Sequence, residues 1–237
     1  MKRILLMVIK NIVLVPWMWI KLCYHAKHTE KYTEEEQYKM LRFITLHANK
    51  GGNVKIDVHG VENLPKDNGF MFFPNHQGLY DVLAIIEACP RPFSVVAKKE
   101  IANIQFLKQV FACMKAYMLD REDVRQAMQV IVHVTEEVKR GRNYLIFAEG
   151  TRSKNGNKVG EFKGGSFKSA TKAKCPIVPV ALIDSFKPFD TNTINPVTVQ
   201  VHFLEPIYYE EYQTMKTTEI AAEVKCRIQK VINENIK

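Results

Sequence analysis

The sequence predicts an α/β fold with a mostly parallel or mixed central sheet flanked by helices, preceded by an N-terminal two-helix membrane-associating hairpin. Three observations favour this. The 237 residues suit one α/β domain with a small appendage. Hydrophobic residues make up 46% of the chain, enough to bury a core. From residue 54 onward, short apolar runs alternate with segments of helical periodicity. We therefore expect a helical hairpin over residues 1–52 and an α/β domain over residues 53–237.

Each element of the α/β domain follows from its local pattern. The first strand alternates apolar and polar residues, and the second is a continuously apolar, buried run. The predicted strands are Val54–His59, Gly69–Phe73, Phe93–Ala97, Tyr117–Leu119, Tyr144–Phe147, Ile177–Ile183 and Val197–Phe203. Helical spacing or stop signals place helices at Tyr80–Ala88, Ile101–Lys115, Val124–Arg140, within Gly164–Ala173, and from Thr218 to the end.

An apolar run from Ile4 to Ile20 opens the chain. No small-residue cleavage site follows it, so we do not expect a secretory signal peptide. Its 17 residues would span about 26 Å, short of the ~30 Å bilayer core, and Lys10 and Pro16 interrupt it. A single span, a core helix and an interfacial helix remain open. We expect the interfacial helix, because tryptophans and cations accompany the run: Trp17, Trp19, Lys2, Arg3, Lys10, Lys21 and Lys27.

A second helix is predicted from Thr33 to Asn49, directly before the sheet domain. Thr33 and Glu36 form a capping-box pattern at its start, and the pair Gly51-Gly52 supplies a stop signal. Together with the first apolar run it completes the predicted hairpin.

The chain is basic, with 34 Lys and Arg against 25 Asp and Glu and a net charge of +9. Such an excess indicates an anionic partner: nucleic acid, a phosphorylated metabolite or an acidic membrane. The cations are dispersed and lack interleaved aromatics, so we expect no nucleic acid. The five cysteines are scattered without a C-x-x-C pair, which predicts reduced thiols in a cytosol-facing protein and no zinc site.

His76 and Asp81 form the first candidate site, between a buried strand and a helix. Loops at the carboxyl ends of strands are where open α/β sheets bind ligands. The two side chains can meet only if His76 lies in the loop and Asp81 in the first helical turn. The carboxylate would then fix the imidazole tautomer and leave the other nitrogen free to accept a hydroxyl proton. The alternative is a loop histidine beside a helix-capping aspartate.

A second polar cluster, Glu149-Gly150-Thr151-Arg152, follows the strand Tyr144–Phe147. Gly150 permits a positive φ or a close approach, and the Arg152 guanidinium suits a phosphate or carboxylate. Glu149 would hold Arg152 or bind substrate hydroxyls. The alternative is a loop salt bridge between the two, worth little if exposed. No P-loop, G-x-G-x-x-G or G-x-S-x-G motif is present, so a nucleotide-binding enzyme or an α/β-hydrolase is not indicated.

In this order and at these strand ends, the two clusters resemble those of the 1-acyl-sn-glycerol-3-phosphate acyltransferase family. Its first block, N-H-x4-D, is intact from Asn75 to Asp81. Its second, G-x-x-F-I-D-R, keeps the final Asp-Arg but has Lys115 for glycine. Its third, F-P-E-G-T-R-S, has Ala148 for proline. Its apolar fourth block is Ile177–Leu182, which the resemblance implies would line the path of the acyl chain.

The resemblance implies acyl transfer to the free sn-2 hydroxyl of a lysophosphatidic acid, giving phosphatidic acid. His76 and Asp81 would be catalytic, with His76 as base and Asp81 orienting it. The residues that would hold the glycerol phosphate are Arg121, Glu149, Gly150, Thr151 and Arg152, with Lys163 as a weaker candidate.

The resemblance further implies no metal and no cofactor, with acyl-CoA or acyl carrier protein as thioester co-substrate. The enzyme would lie on the cytoplasmic face of the cell membrane, in contact with an anionic surface. Three alternatives remain: a family member acting on another lysophospholipid, glycerol 3-phosphate or a lipid amine; a nucleic-acid-binding protein; and a catalytically dead lipid-binding relative.

Overall fold

The structure, a computed structural model, describes residues 2–119 and 123–236. Its centre is a seven-stranded sheet in the order β1-β7-β6-β2-β5-β3-β4. The strands are β1 (Val54–His59), β2 (Met71–Pro74), β3 (Ser94–Lys98), β4 (Tyr117–Leu119), β5 (Tyr144–Leu145), β6 (Ile177–Ile183) and β7 (Val197–Phe203). All neighbours are parallel except β6 and β7, so the prediction of a mostly parallel or mixed sheet is confirmed.

Helices cover both faces of the sheet. They are α1 (Lys2–Lys10), α2 (Val15–Lys27), α3 (Glu34–Gly51), α4 (Asp81–Ala88), α5 (Gln105–Cys113), α6 (Val124–Lys139), α7 (Lys168–Ala173), α8 (Lys187–Asp190), α9 (Tyr209–Tyr212) and α10 (Thr217–Asn235). Two short helices, α8 and α9, were not predicted, since four residues show no periodicity. The helix predicted at Ile101–Lys115 is shorter in the structure than in the prediction, because a 3-10 turn, Lys99–Asn103, occupies its start. Predicted strand Tyr144–Phe147 pairs only over its first two residues.

Two hydrophobic clusters fill the two sides of the sheet. Side chains alternate along β2, so Phe70 and Phe72 face one cluster while Met71 and Phe73 face the other. Helices α1–α5 cover the first side, and α6, α7 and α10 cover the second. Strand β6 is buried throughout, as a central strand of a parallel sheet should be. The result is a three-layer sandwich.

The first 51 residues form three helices where two were predicted. Asn11 ends α1, because its side-chain amide donates to the carbonyls of Met7 (2.8 Å) and His47 (3.0 Å). Pro16 lies in the first turn of α2, where its missing N–H is tolerated. Among the described residues no single helix has the length and apolarity of a membrane span. Helices α1 and α2 have the required length and apolarity only when taken together, and the pair is bent by 101°.

These helices pack against the sheet. Met7, Met18 and Leu22 join the same cluster as Phe72. Arg3, only 1% exposed, donates to the carbonyls of Gly52 (2.6 Å) and Asn195 (2.9 Å). Arg3 was expected among the cations that meet the bilayer, and this is corrected: its guanidinium ties α1 to the loop before β7. The division at residues 52 and 53 stays a prediction.

A buried histidine in β7, next to the edge strand β1, makes the stability of the fold pH-dependent. His202 of β7 stacks on His59 of the neighbouring β1, with ring centroids 4.3 Å apart. Burial, and secondarily the charge of His59, lower the pKa of His202 to about 4, although Asp57 opposes this. The folded state therefore resists protonation that the unfolded chain accepts below about pH 6.5.

We expect the free energy of unfolding to fall by about 2 to 3 kcal/mol between pH 6.5 and pH 4 because of His202. Above pH 6.5 the ring is neutral in both states and nothing is lost. His202→Gln should remove this part of the pH dependence in urea titrations, while the same change at exposed His133 should not. Equal slopes for His202→Gln and the unaltered chain would contradict the assignment.

Candidate active site

Three loops meet at the carboxyl ends of adjacent strands. Strand β2 lies between β6 and β5 at the centre of the sheet, and all three run parallel. The loop after β2 carries His76, the loop after β5 carries Glu149 to Arg152, and the turn after β6 carries Ser185. The fold therefore brings both predicted polar clusters to one edge, as the topology of parallel sheets requires.

His76 and Asp81 are in direct contact. Nδ1 of His76 lies 2.7 Å from Oδ2 of Asp81. Asp81 is the first residue of α4 and is fully buried, while His76 precedes the helix in the loop, so the predicted contact is present. Since the ionised carboxylate only accepts, Nδ1 carries the proton and Nε2 has the free lone pair. Within residues 2–119 and 123–236, no group hydrogen-bonds Nε2.

The imidazole of His76 is fixed on its flat side as well. The ring of Phe147 stacks against it with centroids 3.9 Å apart and planes inclined by 22°. Asp81 thus sets the ring's direction and Phe147 its plane. Phe147 belongs to the predicted fifth strand, but its role as a platform for His76 had no signal in the sequence.

Glu149 joins the two loops. Its Oε1 accepts the backbone N–H of His76 (2.7 Å) and its Oε2 accepts that of Gly160 (3.0 Å). The carboxyl group is buried, and this burial raises its pKa, although both hydrogen bonds oppose the shift. Glu149 therefore holds the backbone of His76, and the salt bridge to Arg152 weighed from the sequence is not formed. Its predicted role in binding substrate remains a prediction.

The remaining residues of this loop face outward. Gly150 has a φ of 73°, and a Cβ placed there would lie 3.1 Å from Nζ of Lys163. The ammonium of Lys163 therefore lies directly over the glycine. Thr151 and Arg152 are exposed, and no carboxylate of the described chain pairs with Arg152. The loop thus presents two cations and a hydroxyl to solvent beside His76.

Arg121, predicted to bind the phosphate, lies outside the described residues, but the turn leading to it is described. Lys115 has a φ of 50°, the left-handed region that glycine prefers. Its N–H donates to the carbonyl of Ala112, and that of Ala116 donates to the carbonyl of Phe111, which is a Schellman motif ending α5. Lys115 thus adopts a conformation that glycine accepts without strain.

Further polar residues around His76 escaped sequence reasoning. The side chain of Asn75 exchanges two hydrogen bonds with the backbone of Leu182, at 2.7 and 3.0 Å, so it ties the loop to β6. Gln77 is buried and reaches Asn157 and Leu182. The only signal for Asn75 was its place beside His76 in the resembling block, and Gln77 and Ser185 had none.

An apolar cavity of about 500 Å³ lies on the helical side of this site. Leu79 and Leu83, next to His76 and Asp81 in sequence, line it together with Phe189. The opposite wall comes from α1, α2 and α3, including Met18 and Asn49. The fourth block, predicted to line an acyl path, does not contribute to this cavity. The cavity is suited to a hydrocarbon chain.

Among the described residues, no group of three or more His, Cys, Asp or Glu side chains is placed to hold a metal ion. The cysteines are free, and burial raises the pKa of Cys89 to about 11.

Comparisons with known proteins match this arrangement. The acyltransferase family model matches residues 55–183. A 1-acyl-sn-glycerol-3-phosphate acyltransferase of Borreliella burgdorferi is 31% identical over 172 residues, covering 70% of this chain and 68% of that protein. A chloroplastic enzyme of the same name from Brassica napus is 32% identical over 158 residues, covering 65% of this chain and 45% of that protein.

The fold has a solved counterpart. The crystal structure of the 1-acyl-sn-glycerophosphate (LPA) acyltransferase PlsC from Thermotoga maritima has a TM-score of 0.78 at 23% identity, covering 98% of this chain and 95% of that one. At this identity the likeness establishes a common fold. The family model and the sequence relatives show that the chain belongs to the 1-acyl-sn-glycerol-3-phosphate acyltransferase family.

Proposed function

We propose that the protein transfers a fatty acyl group from an acyl thioester to the sn-2 hydroxyl of 1-acylglycerol 3-phosphate, forming phosphatidic acid. The observation that carries the proposal is the 2.7 Å contact between His76 and Asp81. Leu79, between these two residues in sequence, lines the apolar cavity, and the loop after β5, which bears the unpaired cations, hydrogen-bonds the backbone of His76. A base near an apolar cavity and a cationic loop suits an acceptor that carries a phosphate ester and a donor that carries a hydrocarbon chain.

The chemical step follows from the tautomer of His76. Nε2 accepts the proton of the acceptor hydroxyl as its oxygen attacks the thioester carbonyl, and Asp81 stabilises the imidazolium that forms. When the tetrahedral intermediate collapses, the carbon–sulfur bond breaks and the thiolate leaves. Nε2 then returns its proton to the sulfur. The step as written forms no acyl-enzyme and requires no metal or cofactor.

The acceptor phosphate is bound, in this proposal, by the cations of the loop after β5. Arg152 is exposed and without a carboxylate partner, so its five N–H donors are available for bidentate contact. Lys163, held over Gly150, adds a second cation, and Thr151 adds a hydroxyl. Arg121 completes the proposed set from the second block.

The conformation of Lys115 bears on which acceptor is used. In the sequence, Lys115 stands where the family has glycine. This replacement kept another acceptor possible, because it could alter the loop that leads to Arg121. Because Lys115 takes the left-handed conformation, that loop can leave α5 as it would after a glycine. The replacement therefore gives no reason to prefer another lysophospholipid, glycerol 3-phosphate or a lipid amine over lysophosphatidic acid.

The N-terminal helices, in this proposal, bind the cytoplasmic face of the cell membrane. Their outer surface carries large exposed apolar side chains, which we call the apolar N-terminal surface: Ile4, Leu5, Val8, Ile9, Ile12, Val13, Trp17, Trp19 and Ile20. Lys21 lies over the ring of Trp17 at 4.9 Å, so a cation accompanies the indole. An exposed surface of this kind beside basic side chains suits an anionic bilayer interface.

Removal of the base should abolish turnover. We expect His76→Ala to lower kcat by about 10³-fold, in the range of general base catalysis, without loss of the folded state. The assay is phosphatidic acid formation from 1-acylglycerol 3-phosphate, run in a matrix with acyl-CoA and acyl carrier protein donors. Exposed His133→Ala is the matched control. Turnover near that of the unaltered enzyme would exclude His76 as the base.

The phosphate assignment predicts an effect confined to one substrate. Arg152→Ala should raise the KM for the acceptor by about 10- to 100-fold, as expected for a charged hydrogen bond worth 1.5 to 3 kcal/mol, and leave that for the thioester nearly unchanged. Arg152→Lys should fall between, because lysine binds as a point charge. Arg140→Ala, at an exposed arginine just after the end of α6, serves as control. Equal changes in both KM values would refute a phosphate role.

Membrane binding should depend on the apolar N-terminal surface. A deletion of these helices would remove part of the core, so point substitutions are the better test. Val13 and Ile20 are 86% and 69% exposed, and Val13→Asp with Ile20→Asp should reduce flotation with anionic liposomes several-fold without unfolding. Val132→Asp should not, although Val132 is also an exposed apolar residue, on α6. Undiminished flotation of the double variant would place the membrane contact elsewhere.

A further inference from the structure

Ser185 is a fully buried serine in the turn after β6, outside every sequence block considered above. We propose that Ser185 is a positioning residue for the acyl transfer: its hydroxyl fixes the Asp81 carboxylate so that Oδ2 stays directed at His76. The inference rests on the proposed function, since it assigns a residue to the same reaction.

The two oxygens of Asp81 have different surroundings. Oδ2 accepts from Nδ1 of His76 (2.7 Å) and from the backbone N–H groups of Gln77 (2.7 Å) and Gly78 (3.0 Å). Oδ1 accepts from the hydroxyl of Ser185 at 2.6 Å, and no other described group reaches it. Without that hydroxyl, one oxygen of a fully buried carboxylate would have no hydrogen bond, which is costly in a protein interior.

Ser185 is itself held by the loop that carries His76. Its backbone N–H donates to Oε1 of Gln77 at 2.7 Å. The amide nitrogen of Gln77 in turn donates to Oδ1 of Asn157 (2.8 Å) and to the carbonyl of Leu182 (3.1 Å). Backbone and side chain of Ser185 therefore both bind the segment from His76 to Asp81. The hydroxyl is thus aimed at Asp81 by a connected set of buried hydrogen bonds.

The chain makes an unfavourable turn to place Ser185 there. Asp184 has a φ of 62°, a left-handed conformation that non-glycine residues seldom adopt. Three contacts hold it: its N–H donates to Asn157 (2.8 Å), its Oδ1 accepts from Asn157 (3.0 Å), and its Oδ2 pairs with Lys187 (2.7 Å). The turn follows the end of β6 and brings Ser185 to the first residue of α4, Asp81. Strain maintained by specific contacts is typical of functional sites.

The hydroxyl should act on His76 in two ways. It prevents the carboxylate from pivoting about Oδ2, which keeps Oδ2 in line with Nδ1. It also draws negative charge toward Oδ1, so its removal concentrates charge on Oδ2 and favours the imidazolium. A serine that merely fills space would do neither.

The test is Ser185→Ala in the full chain, assayed with lysophosphatidic acid and an acyl thioester over a range of pH. We expect kcat to fall about 10-fold with both KM values within about twofold, the pattern of an interaction that matters in the transition state. The acid limb of the kcat/KM profile should move to higher pH. Ser185→Cys, which keeps a weak donor, should lie between the two.

Ser169→Ala is the matched control, because Ser169 is also a buried serine but its hydroxyl faces the carbonyl of Ile131. It should leave kcat and the pH profile unchanged. Thermal unfolding of all variants separates loss of fold from loss of rate. An unmoved acid limb in folded Ser185→Ala, or an equal loss of kcat in Ser169→Ala, would overturn the proposal. Failure of the proposed function would instead appear as an unaltered enzyme without activity on lysophosphatidic acid.

Discussion

The buried carboxylate of Asp81 constrains the rest of the site. A charge removed from water must be hydrogen-bonded on every side, and here the donors come from His76, Gln77, Gly78 and Ser185. The loop after β2 and the turn after β6 must therefore converge on one point. Glu149 adds the loop after β5 through the backbone of His76. Three otherwise independent connections become one rigid unit, and the proposed base lies where they meet.

The N-terminal helices line the apolar cavity beside the same site. They bury Met18 and Leu22 in the core shared with the sheet, while their other side stays apolar and exposed. Gly51 and Gly52 allow α1 to approach α3, because a Cβ at Gly51 would lie 2.4 Å from the Asn11 amide. The pair Gly51-Gly52 ends α3, as predicted, and also permits this close contact between the two segments.

Much of this was predictable because its causes are local. The periodicity of each strand, the capping box at Thr33 and the position of His76 and Asp81 at a strand end all depend on neighbouring residues. Lys10 and Pro16 signalled an interruption of the first apolar run, but the 101° bend there was not predictable, since the acceptor that Asn11 binds on His47 lies 36 residues away. Ser185 and Phe147 escaped notice for the same reason: each contacts the site only after β5 and β6 lie beside β2. Arg3, counted among the surface cations, is buried by contacts with residues 49 and 192 positions distant.

The cavity and the apolar N-terminal surface share the same helices, and this has a consequence for how lipid moves. Met7, Val8 and Val15 line the cavity from helices whose outer sides would meet the bilayer. A hydrocarbon chain passing through water pays about 0.8 kcal/mol for each exposed methylene, more than 10 kcal/mol for a common fatty acid. In the proposed membrane-bound form, one wall of the cavity belongs to helices that meet the bilayer, so a chain would enter and leave it directly from the hydrocarbon layer. Exposure of the lipid tail to water would then be no part of the proposed catalytic cycle.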